Sequence, residues 1–428
     1  MRRRHGRPST AALRNRCIPI AAVNNNTGPL QRGRLAACTF GHAISDGFAN
    51  FTPPLFHTVK SLYHLADSDI GLISMLFSLT TNFGQPIFGY LIDRYRLRNV
   101  IPFGLGVASV FMCAVGFAPS LWVFVAFMML SGLGIALFHP RGGALAAEAS
   151  GSRRAYGMSI FGAGGATGYA LASLGAPLLH DLGLRVGLRP LQGLIFALPL
   201  GLAAVYLLWR FNPHRDAPDT ATPPPQFSLR RHLLPHLRPL LPVFVVMVLR
   251  SATVTSFATF IQVLQGDLGH SPLFQGAVLF VFVGGAASGG MVGSHLSERY
   301  GRRFITVTSL LLAPPLLYYA LSAPPLLLLG LLFAAGFTLR GAEHVNIAQT
   351  QDLLPHGMST ASAISMGFTW GIAGLAPRIV GMISERTGNL AFALACTTVL
   401  PVIAAGVALA LPTRAPGATP RAETALVQ

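Results

Sequence analysis

Gly89-Tyr90-Leu91-Ile92-Asp93-Arg94-Tyr95-Arg96-Leu97-Arg98 is a burst of charge wedged between two long apolar runs. It returns 205 positions later as Ser294-His295-Leu296-Ser297-Glu298-Arg299-Tyr300-Gly301-Arg302-Arg303, with Leu, an acid, Arg and Tyr in register. A charged loop repeated half a chain apart implies two homologous halves. An acid at such a loop can meet helix N-termini or arginines of the other half. Gly89, Asp93, Arg94, Glu298, Arg299 and Arg302 are therefore candidate gating residues. Ordinary basic loops are the alternative, but a basic loop needs no duplicated carboxylate.

Working outward, the chain is 52% hydrophobic and 11% charged, against roughly a quarter charged in soluble domains. Windows of about 20 residues without charge recur along it, each long enough to cross an apolar core of about 30 Å. The net charge of +17 lies between the apolar runs, so no soluble basic face for nucleic acid is expected. Cys17, Cys38, Cys113 and Cys396 lack CxxC spacing, which indicates neither a metal site nor a disulfide framework.

The expected architecture is an all-α polytopic membrane protein with twelve spans: 35–62, 69–92, 99–118, 120–148, 155–181, 190–211, 239–266, 272–297, 303–322, 324–352, 356–384 and 388–412. In lipid each must be a helix, which alone satisfies its own backbone. The organisation read from this is a basic tail 1–34, a six-helix half 35–211, a linker 212–238, a second half 239–412 and a tail 413–428. Pro218 and Pro223-Pro224-Pro225 mark the linker. The first 34 residues hold eight arginines and no acid, and the loops after even-numbered spans are arginine-rich. Both termini are accordingly expected in the cytoplasm. The repeat continues as Gly157-Met158-Ser159 and Gly357-Met358-Ser359, and as Ala176-Pro177 and Ala376-Pro377. Gly162-Ala163-Gly164-Gly165-Ala166-Thr167-Gly168 has no preceding strand and is no dinucleotide loop. Its small residues fit close helix contact.

Twelve spans in two halves, with Gly-x-Leu-x-Asp-Arg-Tyr after span two and its echo after span eight, resemble the major facilitator superfamily of secondary transporters. Phe138-His139-Pro140, Gln351-Asp352-Leu353-Leu354-Pro355 and the glycines 367, 371, 374 and 381 resemble the fosmidomycin resistance protein group of drug efflux transporters. That group commonly has Glu after His-Pro, where this chain has Arg141. The resemblance implies that spans one, four, seven and ten line a central cavity.

Those spans are the ones that carry ionisable groups: His42 and Asp46, His139 and Arg141, Arg250, and Arg340, Glu343 and His344. A charge at mid-membrane costs about 2.5–3.5 kcal/mol on insertion scales and marks function. His42, Asp46 and Asn50 recur at i, i+4 and i+8 on one helix face. For His139 and Arg141 a second reading stands, an arginine snorkelling toward the inner end of a long span. A shift of 205 also superposes His139 on His344.

The function expected is proton-coupled efflux of a small anionic or zwitterionic compound, an antiporter of the drug-resistance kind in a bacterial inner membrane. Asp46 would carry the proton and lean on the cavity arginines. The same residues would serve uptake of an organic anion, and a non-transporting receptor on this fold is the rival of another class. Neither a paired nucleophile and base nor an HExxH spacing suggests an enzyme. The partners expected are a small-molecule substrate, protons and lipid. No cofactor, metal or nucleic acid is expected, and the protein should act as a monomer. A topology reporter placed after Gln428 or near Pro224 should read cytoplasmic, and a periplasmic signal at either place would refute the twelve-span arrangement.

Overall fold

A computed structural model describes residues 28–95, 99–211, 236–354 and 363–411. The tails 1–27 and 412–428, the connection 212–235, Arg96, Gly357-Met358-Ser359 and the side chains of Asp93 and Arg94 lie outside what it describes.

The chain is all-helical, with two six-span halves. In the first half the spans are Arg32–Ala49 continued by Phe56–Leu62, Asp67–Tyr95, Val100–Ala114, Leu121–Ala149, Arg154–Arg185 and Leu198–Arg210. In the second they are Leu237–Asp267, Pro272–Tyr300, Arg302–Ala320, Pro325–Leu339 continued by Glu343–Leu353, Thr369–Ala373 continued by Ala376–Thr387, and Leu390–Thr397 continued by Val399–Ala408. Among the described residues nine helices are long and apolar enough to cross a membrane. Spans one, two and five are not among those nine, although their main helices run 18, 29 and 32 residues. Span one carries Arg32, Arg34, His42 and Asp46 in its 18 residues.

Local sequence sets the breaks. Pro53 and Pro54 interrupt span one, and Ser120, Ser271 and Asn389 cap spans four, eight and twelve through their side chains. Span ten, expected unbroken over 324–352, opens at Arg340, Gly341 and Ala342. There the ladder tightens: Gly341 N–H donates to Thr338 O at 3.1 Å and Glu343 N–H to Arg340 O at 3.0 Å. The second helix of span ten therefore begins in mid-span with Glu343 in its first turn, where a carboxylate complements the helix dipole.

Small residues bring backbones together where the polar side chains sit. In span eight a methyl at Gly285, Gly289 or Gly293 would run into the carbonyl oxygens of Phe333, Phe337 or Gly341, so span eight lies directly on the break in span ten. In span five Gly164 abuts Thr39, Gly165 abuts His42 and Asp46, and Gly168 abuts Ala43. The glycine run therefore presses span five onto span one.

The two halves meet at the end away from the termini. Ser74 and Thr259 hydroxyls are 2.8 Å apart, and Ser78 Oγ donates to Trp370 O at 3.3 Å. Ser384 Oγ donates to Asp67 Oδ2 at 2.6 Å, and Arg378 Nη1 to Ser68 O at 2.5 Å. Lys60, the chain's one lysine, reaches Asp67 at 2.8 Å in its own half and Asp267 at 2.9 Å in the other. Arg378 joins the halves because span eleven runs along span two. Lys60→Met would leave Asp67 and Asp267 facing each other without a cation. A partly exposed pair is worth about 0.2–1 kcal/mol, so the closed mouth should lose about 1.4- to 5-fold in its equilibrium constant. Spin-label distances between positions 65 and 269 in a cysteine-free background would show the longer population rise; an unchanged distribution would remove Lys60 from the closure.

Candidate functional site

In the first half His42, Asp46 and His139 converge. Asp46 Oδ1 lies 2.9 Å from His139 Nε2, and Asp46 Oδ2 lies 3.2 Å from His42 Nε2. Each ring is pinned from behind. His42 Nδ1 is 2.8 Å from Phe161 O, and His139 Nδ1 is 2.9 Å from Ile135 O. The His42 ring also stacks on Phe161 with centroids 4.0 Å apart. A carbonyl oxygen can only accept, so both Nδ1 atoms carry hydrogen and both Nε2 atoms face one carboxylate. Asn50, expected on the same face, is fully buried and instead ties span one to span five, donating to Tyr169 O at 2.8 Å and Ser173 Oγ at 2.6 Å.

In the second half the buried Arg250 and Glu343 and the partly exposed Arg340 form a charge cluster. Arg340 Nε donates to Glu343 Oε2, and Arg250 Nη2 lies 3.9 Å from Glu343 Oε1. Arg250 is 1% exposed, and none of its three guanidinium nitrogens makes a hydrogen bond within the described residues. Arg340 lies over the Trp370 ring, 5.3 Å from its centroid. His344, next to Glu343 in the chain, is exposed.

The expectation that Asp46 leans on the arginines is corrected here. Two imidazoles hold it, and Glu343 occupies the arginines. Tyr169 of span five lies within electrostatic range of both Asp46 and Arg340. Arg141 does not join Asp46 but bonds Glu148 Oε1 at 2.8 Å, two turns along its own helix. In the loop pairs, Arg302 Nη1 reaches Asp352 Oδ2 at 2.5 Å within its own half, and Glu298 and Arg299 are exposed.

Sequence reasoning missed Tyr169, Phe161, Trp370 and Glu148. The first three are uncharged and carry no spacing signal; Glu148 was visible as the only acid on span four, seven residues from Arg141.

The two-half helical fold, with a cluster of ionisable side chains inside each half, is that of a secondary transporter. The family profile described as Major Facilitator Superfamily matches residues 35–249 and again 243–427, so the chain belongs to that superfamily and carries its repeat twice. It stands close to the fosmidomycin resistance protein group: it is 26% identical over 376 residues to the fosmidomycin resistance protein of Escherichia coli (strain K12), covering 86% of this chain and 90% of that one. It is 25% identical over 363 residues to the uncharacterized MFS-type transporter YfnC of Bacillus subtilis (strain 168), covering 81% and 85%. It is 23% identical over 395 residues to the gentisate transporter of Corynebacterium glutamicum, covering 88% and 85%. Among solved structures it is similar in fold to a bacterial homolog of the human lysosomal transporter Spinster in an inward-facing and occupied conformation. That match has a TM-score of 0.72 at 16% identity, covering 89% and 97%. The protein is thus a multi-pass membrane transporter of a small molecule and not an enzyme.

Glu343→Gln would leave the buried Arg250 and the partly exposed Arg340 without their carboxylate. Removing one partner of a buried ion pair costs about 3–5 kcal/mol. The variant should unfold correspondingly earlier in denaturant titration, and adding Arg340→Gln should restore part of the loss. An additive double variant would show that the two do not interact.

Proposed function

We propose that the protein exports a small organic anion or zwitterion in exchange for protons, from the cytoplasm across a bacterial inner membrane, acting as a monomer with both termini cytoplasmic. The observation that carries this is Arg250: a fully buried guanidinium whose donors are unmatched, beside a second guanidinium, with one carboxylate between them. Two arginines against Glu343 leave one positive charge in excess, and an arriving oxyanion would supply both charge and hydrogen-bond acceptors. The relatives' names, one for resistance to fosmidomycin and one for transport of gentisate, support a small organic substrate, and the first supports export.

Coupling follows from the first half. A substrate whose anionic end takes Arg250 and whose cationic end takes Asp46 competes there with protons on Asp46, His42 and His139. Protons arriving from outside then displace the cationic end, which gives antiport. The halves touch at the end away from the termini, so with cytoplasmic termini this conformation faces inward and is the one that loads substrate. For export of a net anion the inside-negative potential adds about 2.3 kcal/mol per charge per 100 mV.

The test is flux in proteoliposomes of organic anions and zwitterions under an imposed pH gradient. Asp46→Asn should abolish pH-driven flux while substrate exchange at equal concentrations survives. Arg250→Gln should lower both by at least about tenfold, the loss expected for an unmade charge-assisted hydrogen bond. Persistence of pH-driven flux in Asp46→Asn would make that carboxylate structural, and no flux of any panel member by the native protein would overturn the transport reading.

A further inference from the structure

We propose that His42, Asp46 and His139 form a binding site for a divalent transition-metal cation of the zinc class, in the cavity wall made by spans one and four. The three side chains offer two ring nitrogens and a carboxylate oxygen within 4.8 Å of one another. Zinc bonds of about 2.0–2.2 Å in a tetrahedron place neighbouring ligand atoms about 3.4 Å apart. His139 Nε2 lies 2.9 Å from Asp46 Oδ1 and His42 Nε2 lies 3.2 Å from Oδ2, so either carboxylate oxygen can serve as the third ligand after a small turn of the side chains.

Three further observations favour a cation at this point. Both Nδ1 atoms are committed to backbone carbonyls, the outer-shell arrangement that fixes metal-ligating histidines and turns their Nε2 lone pairs inward. With their Nε2 protons removed, the two imidazoles and the carboxylate converge as three donors that one cation can bridge in place of those protons. The neighbouring position on span five is Gly165, and a methyl there would collide with the His42 ring and an Asp46 oxygen. The space beside the ligands is therefore kept by the absence of a side chain. The side chains retain 12, 22 and 23% exposure, so one coordination position faces the cavity. Two imidazoles and one carboxylate suit zinc, cobalt or nickel, whereas magnesium and calcium prefer all-oxygen sets. A metal held here would occupy the Asp46 carboxylate and stop the cationic end of a substrate from reaching it. Zinc is thus expected to block transport.

The proposal goes beyond the transport reading and is tested by binding, independently of flux. Full-length protein purified without a polyhistidine tag and stripped by chelator would be dialysed against zinc in detergent. About one zinc per chain is expected, with at least about tenfold weaker retention in His42→Gln and His139→Gln. Cobalt in place of zinc should give the intense visible bands of a four-coordinate nitrogen and oxygen site. Since a variant can fail to fold, the native protein supplies a second readout: zinc should protect His42 and His139 from diethylpyrocarbonate, mapped by mass spectrometry. Stoichiometric binding with protection at both histidines supports the site. Binding well below one per chain, or protection confined to others among the 13 histidines, would overturn it.

Discussion

A buried guanidinium, Arg250, with the partly exposed Arg340 beside it, is tolerable in a protein that lives in lipid only if something negative lies between them, and Glu343 is that group. Its position follows from backbone events. Span ten breaks at Arg340 to Ala342, a new helix starts at Glu343, and the glycines of span eight let that break lie against a neighbouring helix without side chains between. Broken helices at mid-membrane are tolerated where protein or a cavity covers the freed groups. Here tightened hydrogen bonds take up the turn, and one carboxylate neutralises two arginines incompletely. The residual positive charge is a property of the architecture and needs no ligand to create it.

The repeat supplies a frame and leaves the chemistry of each half free. Both halves place ionisable groups on their first and fourth spans, at matching depth. The first half fills those places with a carboxylate between two imidazoles. The second fills them with arginines, which stay charged. In the proposed exchange the first half would hold the groups that change charge and the second half those that do not.

Much of the frame was legible in the sequence because charge in an apolar chain is conspicuous. The duplicated loops, the arginine asymmetry and the eight cavity ionisable residues all stand out against uncharged surroundings. Pairing was not legible. His139 lies 93 positions from Asp46 and Arg250 lies 93 from Glu343, so nothing local in the sequence says which acid meets which base. Reading Asn50 as a member of the wet face failed because periodicity gives a shared face and not what packs on it; glycines in span five let that helix approach so closely that Asn50 is spent on its backbone. Arg378 was passed over for a similar reason. Its use depends on a carbonyl at Ser68, 310 residues away.

The link between site and closure runs through Trp370. Its ring carries Arg340 on one side, and its carbonyl accepts the hydroxyl of Ser78 from the opposite half. The same stretch of span eleven continues to Arg378 and Ser384, which hold Ser68 and Asp67 at the closed mouth beside Lys60. An anion that drew Arg340 off the indole would therefore change the packing of the helix that seals the far end. Two packed surfaces joined by one helix have two arrangements rather than a continuum, because interiors at crystal-like density do not deform gradually. Span eleven therefore touches both the charge cluster of the second half and the contacts between the halves, and its Gly371 and Gly374 lie pressed against Phe83 and Ser78 of span two.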